Sequence, residues 1–446
     1  MSHEPHDDDV RALELDRAHV FHSWSAQGSL TPLVIAGGRG CEVWDASGTR
    51  YLDFSSQLVN VNIGHSHPRV VAAIQEQAAT LATLAPPHAN RVRGEAAERI
   101  LAHVPDGFSH VFFTNGGADA NENAMRMARI HTGRDKIVSH YRSYHGNTGA
   151  AVVATGDWRR VPNEFARGHV HAFGPYLYRS EFWASTQAEE GERALHHLRR
   201  VVEAEGPGTI AAILLETVPG TAGVLVPPPG YLAGVRRLAD EHGILLILDE
   251  VMAGFGRTGS WLALDQHDVV PDLITIAKGV NSGYVPVGGV VIAEHVAATF
   301  DERVFPGGLT YSGHPLAAAS VVATIDAMAQ EGVVENAARI GADVLGPGLR
   351  ELAERHAVVG EVRGVGVFWV IELVADRTTR TPLPADAMAR ARREMLAHGL
   401  LPMVVENRIH VVPPCVVTDS EVGRALQVYD EVLGVLDDTL VAGAAR

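Results

Sequence analysis

The sequence predicts an α/β protein in which a mostly parallel sheet lies between helices, with a smaller α+β lobe attached. Three observations carry this expectation. From about residue 70 onward, short apolar runs alternate with segments of helical period. Those runs are apolar at every position rather than at alternate ones, the mark of strands buried on both faces. After about residue 325 the chain is helical again and then offers two more strand-like runs.

The elements follow in order. The first dozen or so residues are polar and acidic and read as a mobile tail. Leu33 to Asp45 reads as a hairpin with glycines at its turn, and Asp45-Ala-Ser-Gly48 as a second turn before Tyr51-Leu-Asp-Phe54. Ala96, Ala97, Ile100 and Leu101 carry a helical period, and Val111-Phe-Phe-Thr114 is strand-like. Ala120, Ala124, Met127 and Ala128 line one face of a helix. Ala151-Val-Val-Ala154, Ile210 to Leu215, Ile244 to Leu248 and Leu273 to Ile276 are the further apolar runs taken as strands. Leu232, Val235, Leu238 and Ala239 mark a helix that Gly243 would end. Gly366 to Leu373 and Arg408 to Val412 are the strands of the smaller lobe. These readings divide the chain into an N-terminal segment (1–69) contributing to the small lobe, a large unit (70–325) and a C-terminal small unit (326–446).

Composition narrows the function. The formal charge of −16 argues against nucleic acid or an anionic membrane as a general partner. The N-terminus has neither a basic nor an apolar signal region, and no apolar run reaches the roughly 18 residues of a membrane span, so a cytoplasmic location is expected. Cys41 and Cys415 are too few and too far apart for a disulfide framework and read as buried thiols.

Lys278 is the most informative residue. It ends the apolar run Asp272-Leu-Ile-Thr-Ile-Ala-Lys-Gly279, where a lone ammonium is costly unless paired or used covalently. Lysine forms Schiff bases with carbonyl cofactors. Asp249 ends a companion run, Ile244-Leu-Leu-Ile-Leu-Asp-Glu250, and a carboxylate there suits a protonated ring nitrogen. The pair reads as a pyridoxal 5′-phosphate site, with Lys278 as both anchor and general base. Thr114-Asn-Gly-Gly-Ala-Asp-Ala120 joins a strand to a helix and reads either as a phosphate seat or as a plain turn. Tyr141-Arg-Ser-Tyr-His-Gly146 offers an aromatic ring for a flat cofactor, or ordinary packing.

Two other patterns point to different chemistry. Gly254-Phe-Gly-Arg-Thr-Gly259 fits the dinucleotide spacing, but its acids precede the glycines, and Asp272 opens a strand instead of ending one. Gly64-His-Ser-His-Pro68 places two histidines at i, i+2, without a metal-binding spacing elsewhere, so no metal is expected.

With these residues in place the chain resembles the class III (ω) aminotransferases of pyridoxal-phosphate fold type I, nearly end to end. Ile247-Leu-Asp-Glu-Val-Met-Ala-Gly-Phe-Gly-Arg-Thr-Gly259, with Ala277-Lys-Gly279 at its spacing, carries the resemblance. It implies a large domain with a mostly parallel seven-stranded sheet between helices, plus a smaller α+β domain. It makes Lys278 the Schiff-base lysine and Asp249 the partner of the ring nitrogen. Val251 and Tyr144 would flank the ring, and Gly116, Gly117 and Ala118 would hold the phosphate through backbone amides. His145 and Glu216 are carried over as further cofactor contacts. Thr310, in Gly307-Gly-Leu-Thr-Tyr-Ser-Gly-His-Pro315, resembles a threonine that reaches the phosphate from a neighbouring subunit, which implies a homodimer with shared sites and leaves a tetramer open.

The departures bear on substrate. Asn115-Gly-Gly-Ala118 stands where the family often reads Asn-Ser-Gly-Ser/Thr, and Met252 where many relatives have glutamine. Thr221 and His410 stand where ornithine-type relatives carry a glutamate and an arginine, and Met403 replaces a mobile arginine of some amine:pyruvate enzymes. Arg408, two residues from His410 and on the same face of a strand, is the candidate for a substrate acid group, a surface arginine being the competing reading. The segments Ser55 to His65 and Glu216 to Gly223 are most similar to the taurine- and ω-amino-acid:pyruvate branch, which would put Ser56, Leu58 and Val59 on the substrate pocket. The implied reaction is ping-pong transfer of an amino group from a primary amine or ω-amino acid to a keto acid such as pyruvate. An aminomutase or racemase on the same fold, and a nicotinamide dehydrogenase using Gly254 to Gly259, are the competing readings.

Overall fold

The computed structural model describes residues 7–164 and 166–444. Strands β1 (Ile35–Arg39), β2 (Glu42–Asp45) and β3 (Arg50–Asp53) form the expected antiparallel meander near the N-terminus. The first six residues of the expected tail lie outside the described residues, and the rest of it begins a helix, Asp7–His19.

Seven strands build the central sheet: β4 (Phe108–Thr114), β5 (Lys136–His140), β6 (His169–Ala172), β7 (Ile210–Glu216), β8 (Leu245–Asp249), β9 (Leu273–Ile276) and β10 (Gly288–Ala293). Their spatial order is β4-β10-β9-β8-β7-β5-β6, all parallel except β10, which runs antiparallel to both neighbours. This is the expected α/β fold with a mostly parallel seven-stranded sheet. Ile213, Leu215, Leu246, Leu248, Ile274 and Ile276 join one apolar cluster, while Ala212, Leu214, Leu245, Ile247 and Leu273 join another. Each strand therefore alternates between two cores, and the period of two is invisible because both sides are apolar. Burial of each large aliphatic side chain contributes about 1.5–3 kcal/mol.

Ala151–Ala154, expected as a strand, lies in the helix Gly149–Ala154. All four residues are buried, so the sequence pattern does not separate the two forms. The helix start is satisfied from outside: the Glu122 carboxylate accepts from the amides of Ala150 (2.9 Å) and Ala151 (3.0 Å). Strands β6 and β10 are additions that the sequence reading did not contain.

Beyond the helix Pro315–Gln330 come β11 (Val359–Val365), β12 (Phe368–Asp376), β13 (Thr381–Pro382), β14 (Leu400–Leu401), β15 (Met403–Val405) and β16 (Arg408–Val411). β11, β12, β16 and β15 form an antiparallel sheet with β13 against β12. β14 instead pairs in parallel with β3, which joins the two ends of the chain. Among the described residues no single helix is long and apolar enough to cross a membrane. Cys41 and Cys415 are free and buried.

Candidate active site

Parallel pairing sets the site. Glu216 ends β7 directly opposite Asp249, which ends β8, and Asp249 in turn pairs with Thr275 of β9. Lys278 follows β9 at the start of a tight turn, with φ +46°, a left-handed conformation unusual for a lysine. Asp249, Glu216 and Lys278 thus open from the same end of three adjacent strands into one cavity of about 330 Å³. Crevices at the carboxyl ends of parallel strands are where such sheets bind ligands.

Asp249 is buried and held by three donors. His145 Nδ1 lies 2.9 Å and Asn121 Nδ2 2.7 Å from its Oδ2, and the Val251 amide donates to Oδ1 at 3.0 Å. Asn121 is itself fixed, because its Oδ1 accepts from Thr275 Oγ1 (2.8 Å) and its amide also donates to the His145 carbonyl (2.8 Å). Glu216 accepts from the backbone amides of Tyr144 and Gly220, both at 2.9 Å. Burial nevertheless pushes its carboxyl above the usual range. Burial also pulls the Lys278 ammonium down to about 8, with Glu216 and Asp249 opposing.

Asn115, Gly116, Gly117 and Ala118 line the same cavity. Gly116 caps the helix Gly117–Thr132, whose first amides have no partner within the helix. A Cβ on Gly116 would enter open space, whereas one on Gly117 would come 2.9 Å from Val251 Cγ1. Gly117 therefore permits the close approach of Val251. Tyr144 and Val251 both border the cavity. A pinned carboxylate, helix-start amides without partners in their helix and a half-buried amine around one cavity fit a flat, aldehyde-bearing pyridine phosphate.

A second cavity of about 610 Å³ adjoins the first, sharing Tyr144, Met252 and Lys278. Leu58, Thr221, Met403 and Arg408 line it as well. Arg408 is ion-paired with Glu406, and its Nε is buried without a partner among the described residues.

Other expected residues sit elsewhere. Ser56 is buried and donates to the Val412 carbonyl (2.6 Å), and Val59 packs in an apolar cluster with Val218, Phe368 and Val370. Neither borders either cavity, which corrects the expectation for both. Of the three neighbours only Leu58 faces the opening, because Gln57 and Leu58 break the helical turn of Ser56–Val59. His410 is also corrected. It is buried behind the wall, its ring nitrogen 3.1 Å from the Gly220 carbonyl, and burial takes it down to about 3, so it is neutral. Thr310 lies exposed on the 301–314 loop and borders neither cavity of its own chain.

Gly254 to Gly259 does not form a dinucleotide turn, since residues 251–262 are turns and bends with no α-helix opening on the glycines. Gly256 and Gly259 take positive φ so that Arg257 can run inward, fully buried. Its guanidinium donates to the carbonyls of Val367 and Pro413 and to Asn62 Oδ1 (2.9 Å), pinning the N-terminal segment to the C-terminal lobe. The two histidines of Gly64 to Pro68 each meet an acid: His65 with Asp53 (2.8 Å), His67 with Glu331 (3.1 Å).

Sequence reasoning missed Asn121, Arg159 and Trp24. Asn121 carried a signal, a polar residue beside the buried alanines of its helix. Arg159 and Trp24 carried none, because only the fold brings residues 24, 144 and 159 together.

Comparison with known proteins agrees with this geometry. The family profile described as aminotransferase class-III matches residues 24–433. The chain is 34% identical to a taurine–pyruvate aminotransferase of Rhodobacter capsulatus, over 94% of this chain and 96% of that one. It is 36% identical to an acetylornithine aminotransferase of Methanothermobacter thermautotrophicus, over 96% and 100% of the two chains. Among solved structures it is similar to the taurine:2-oxoglutarate aminotransferase of Bifidobacterium kashiwanohense in complex with PLP and glutamate. That similarity has a TM-score of 0.94 and 40% identity, covering 98% of this chain and 100% of that one.

Proposed function

The chain belongs to the class III aminotransferase family, and from that premise we propose that it transfers an amino group from a primary amine or ω-amino acid to a keto acid such as pyruvate. The observation that carries the reading is the opening of Lys278 and the three-donor Asp249 into one cavity that Gly116 to Ala118, at a helix start, also line. The cofactor is pyridoxal 5′-phosphate, which when bound supplies a pyridinium electron sink for the substrate's α-carbon.

Asp249 would stabilise a protonated ring nitrogen, and His145 and Asn121 keep its carboxylate oriented. The amides of Gly116, Gly117 and Ala118 at the helix start would hold the phosphate. Val251 and Tyr144, which both border the cavity, would confine the ring. Lys278, with its ammonium pulled down to about 8, presents a free amine in a useful fraction near neutral pH and moves a proton through Nζ. Glu216, occupied by two backbone amides, fixes the Tyr144 loop rather than exchanging protons.

The protein works as a homodimer in the cytoplasm, with Thr310 completing the phosphate site of its partner. Support comes from the loop itself: Thr310 is exposed beside exposed Val304 and Tyr311, away from its own cavities. The small lobe is formed by residues 1–69 and 326–446 around the 70–325 unit, in keeping with the pairing of β14 on β3. Arg408 is the first candidate for a substrate acid group. The competing isomerase and dehydrogenase readings draw no support, since the relatives above are named as aminotransferases and Gly254 to Gly259 is a structural turn.

The test is pyruvate-dependent loss of a donor amine with formation of alanine by the pyridoxal-phosphate-loaded protein. Lys278→Ala should abolish it, and full turnover by that variant would overturn the mechanism.

A further inference from the structure

Asp53 ends β3 fully buried and borders neither cavity, yet it gathers the segment that leads into both. Its Oδ1 accepts from the Ser55 hydroxyl (2.6 Å) and amide (3.1 Å), and its Oδ2 accepts from Gln57 Nε2 (2.9 Å). His65 Nε2 lies 2.8 Å from the same Oδ2, and the His65 backbone is tied in turn to Gly40 (2.8 and 3.0 Å). Burial pushes the Asp53 carboxyl up, but the bonds from His65, Ser55 and Gln57 hold it below the usual carboxylate range.

The segment so held is strained. Ser56 (φ +44°), Gln57 (φ +61°) and Val59 (φ +58°) all have positive φ, and none is a glycine. Gln57 adds a ψ of −93°, outside even the left-handed helical region, and a β-branched residue such as Val59 at positive φ is an outlier. Such a run persists only where its surroundings over-determine it, and strain of this kind gathers at functional sites. Ser56 is fixed by the Val412 carbonyl (2.6 Å) and Val59 is buried in an apolar cluster, while Asp53 holds the residues on either side of Ser56. The outcome is directional. Leu58, between two residues of positive φ, turns out of the core and lines the outer cavity with half of its surface exposed. Asn60 then borders the inner cavity that Lys278 also lines.

We infer that Asp53 is a positioning residue for donor selection: it holds residues 56–59 in their strained run and so keeps Leu58 in the outer cavity, where that side chain limits the girth of the amine that passes. This rests on the aminotransferase reading and goes beyond it. Asp53 acts through Leu58. An apolar side chain with half its surface free takes up room in the cavity, so a bulky donor loses more than a slim one.

The experiment compares benzylamine with n-butylamine as donors, with pyruvate as acceptor and the loaded enzyme. Asp53→Asn turns a donor toward Ser55, Gln57 or His65. It should raise the benzylamine to n-butylamine ratio of kcat/KM about tenfold, chiefly through KM for benzylamine, with affinity for pyridoxal 5′-phosphate unchanged. Leu58→Ala should raise the ratio as far, and adding Asp53→Asn to Leu58→Ala should change it no further, since both act through one side chain. Gln57 is exposed, so its variants leave the core intact and decide the matter even if Asp53→Asn does not fold. Gln57→Ala removes one arm of the clamp and keeps the strain, so the ratio should rise about threefold or more. Gln57→Gly removes the same arm but adopts that backbone freely, and its ratio should stay within about twofold of wild type. Equal ratios for the two Gln57 variants, an unchanged ratio in folded Asp53→Asn, or full additivity with Leu58→Ala would overturn the role of Asp53 while leaving the aminotransferase intact. Absence of amine transfer from any donor, with no borohydride-sensitive visible band in wild type, would instead remove the underlying reading.

Discussion

Asp249 Oδ2 lies 2.9 Å from His145 Nδ1 with both side chains buried, so the carboxylate is held by a neighbour that is itself locked by the fold. An amide in place of this carboxylate would turn a donor toward His145, Asn121 or the Val251 amide. Asp249→Asn is therefore expected to lower kcat for amine transfer by on the order of 10²-fold or more, the scale of lost charge stabilisation in a dry site. Stopped-flow rates of the first half-reaction check it, and a loss below threefold would refute the role given to Asp249.

Gly117 stands where a Cβ would lie 2.9 Å from Val251 Cγ1. Gly117→Ala should therefore displace the phosphate loop or Val251, at a cost of about 1–3 kcal/mol. Affinity for pyridoxal 5′-phosphate should fall at least tenfold, and the double variant Gly117→Ala/Val251→Ala should recover most of it. Cofactor titration monitored by protein fluorescence separates the cases. Tight binding by the single variant would show that the contact is tolerated.

The same residues explain what was legible in the sequence. Lys278 and Asp249 could be read because a charge at the end of an all-apolar strand has few uses, and the parallel register then brings them together. The strands β7, β8 and β9 were readable for the same reason. Gly254 to Gly259 misled on function because its glycines serve the inward path of Arg257, and four acceptors distant in sequence make that residue's surroundings. Ser56 and Val59 could not be separated from Leu58 on the sequence, since the break at Gln57 (φ +61°) decides which side chain faces the opening. Arg159 was hidden because the Tyr144–Trp24 corner is assembled by the fold alone.

Burial depresses Lys278 from 10.5 to about 8, and the sign of its effect on stability follows. Below about pH 8 the lysine is charged in both states, and the folded apoprotein carries the penalty of the buried charge. Between about 8 and 10.5 the unfolded chain binds more protons than the folded one, so stability rises with pH. Above that window the gain is complete. The Tm difference between apo wild type and Lys278→Met should therefore shift in favour of wild type as pH rises through this range. A difference that stays flat would mean that Lys278 keeps an ordinary pKa in the folded protein.

Thr310 gives a prediction that separates a shared site from a self-contained one. If Thr310 serves the partner's phosphate, a dimer made from one Lys278→Ala subunit and one Thr310→Asp subunit holds both lesions in one site and none in the other. Asp at 310 places a negative charge against the phosphate and should weaken cofactor binding by repulsion. Each homodimeric variant should be inactive or nearly so at limiting cofactor, while the mixed dimer should recover about half of the wild-type activity, from its one clean site. Were Thr310 to serve its own chain, each site of the mixed dimer would carry one lesion and no recovery would follow. Light scattering on the same samples should give a mass of at least twice the 47.7 kDa of one chain, and a monomer with full activity would overturn the shared site.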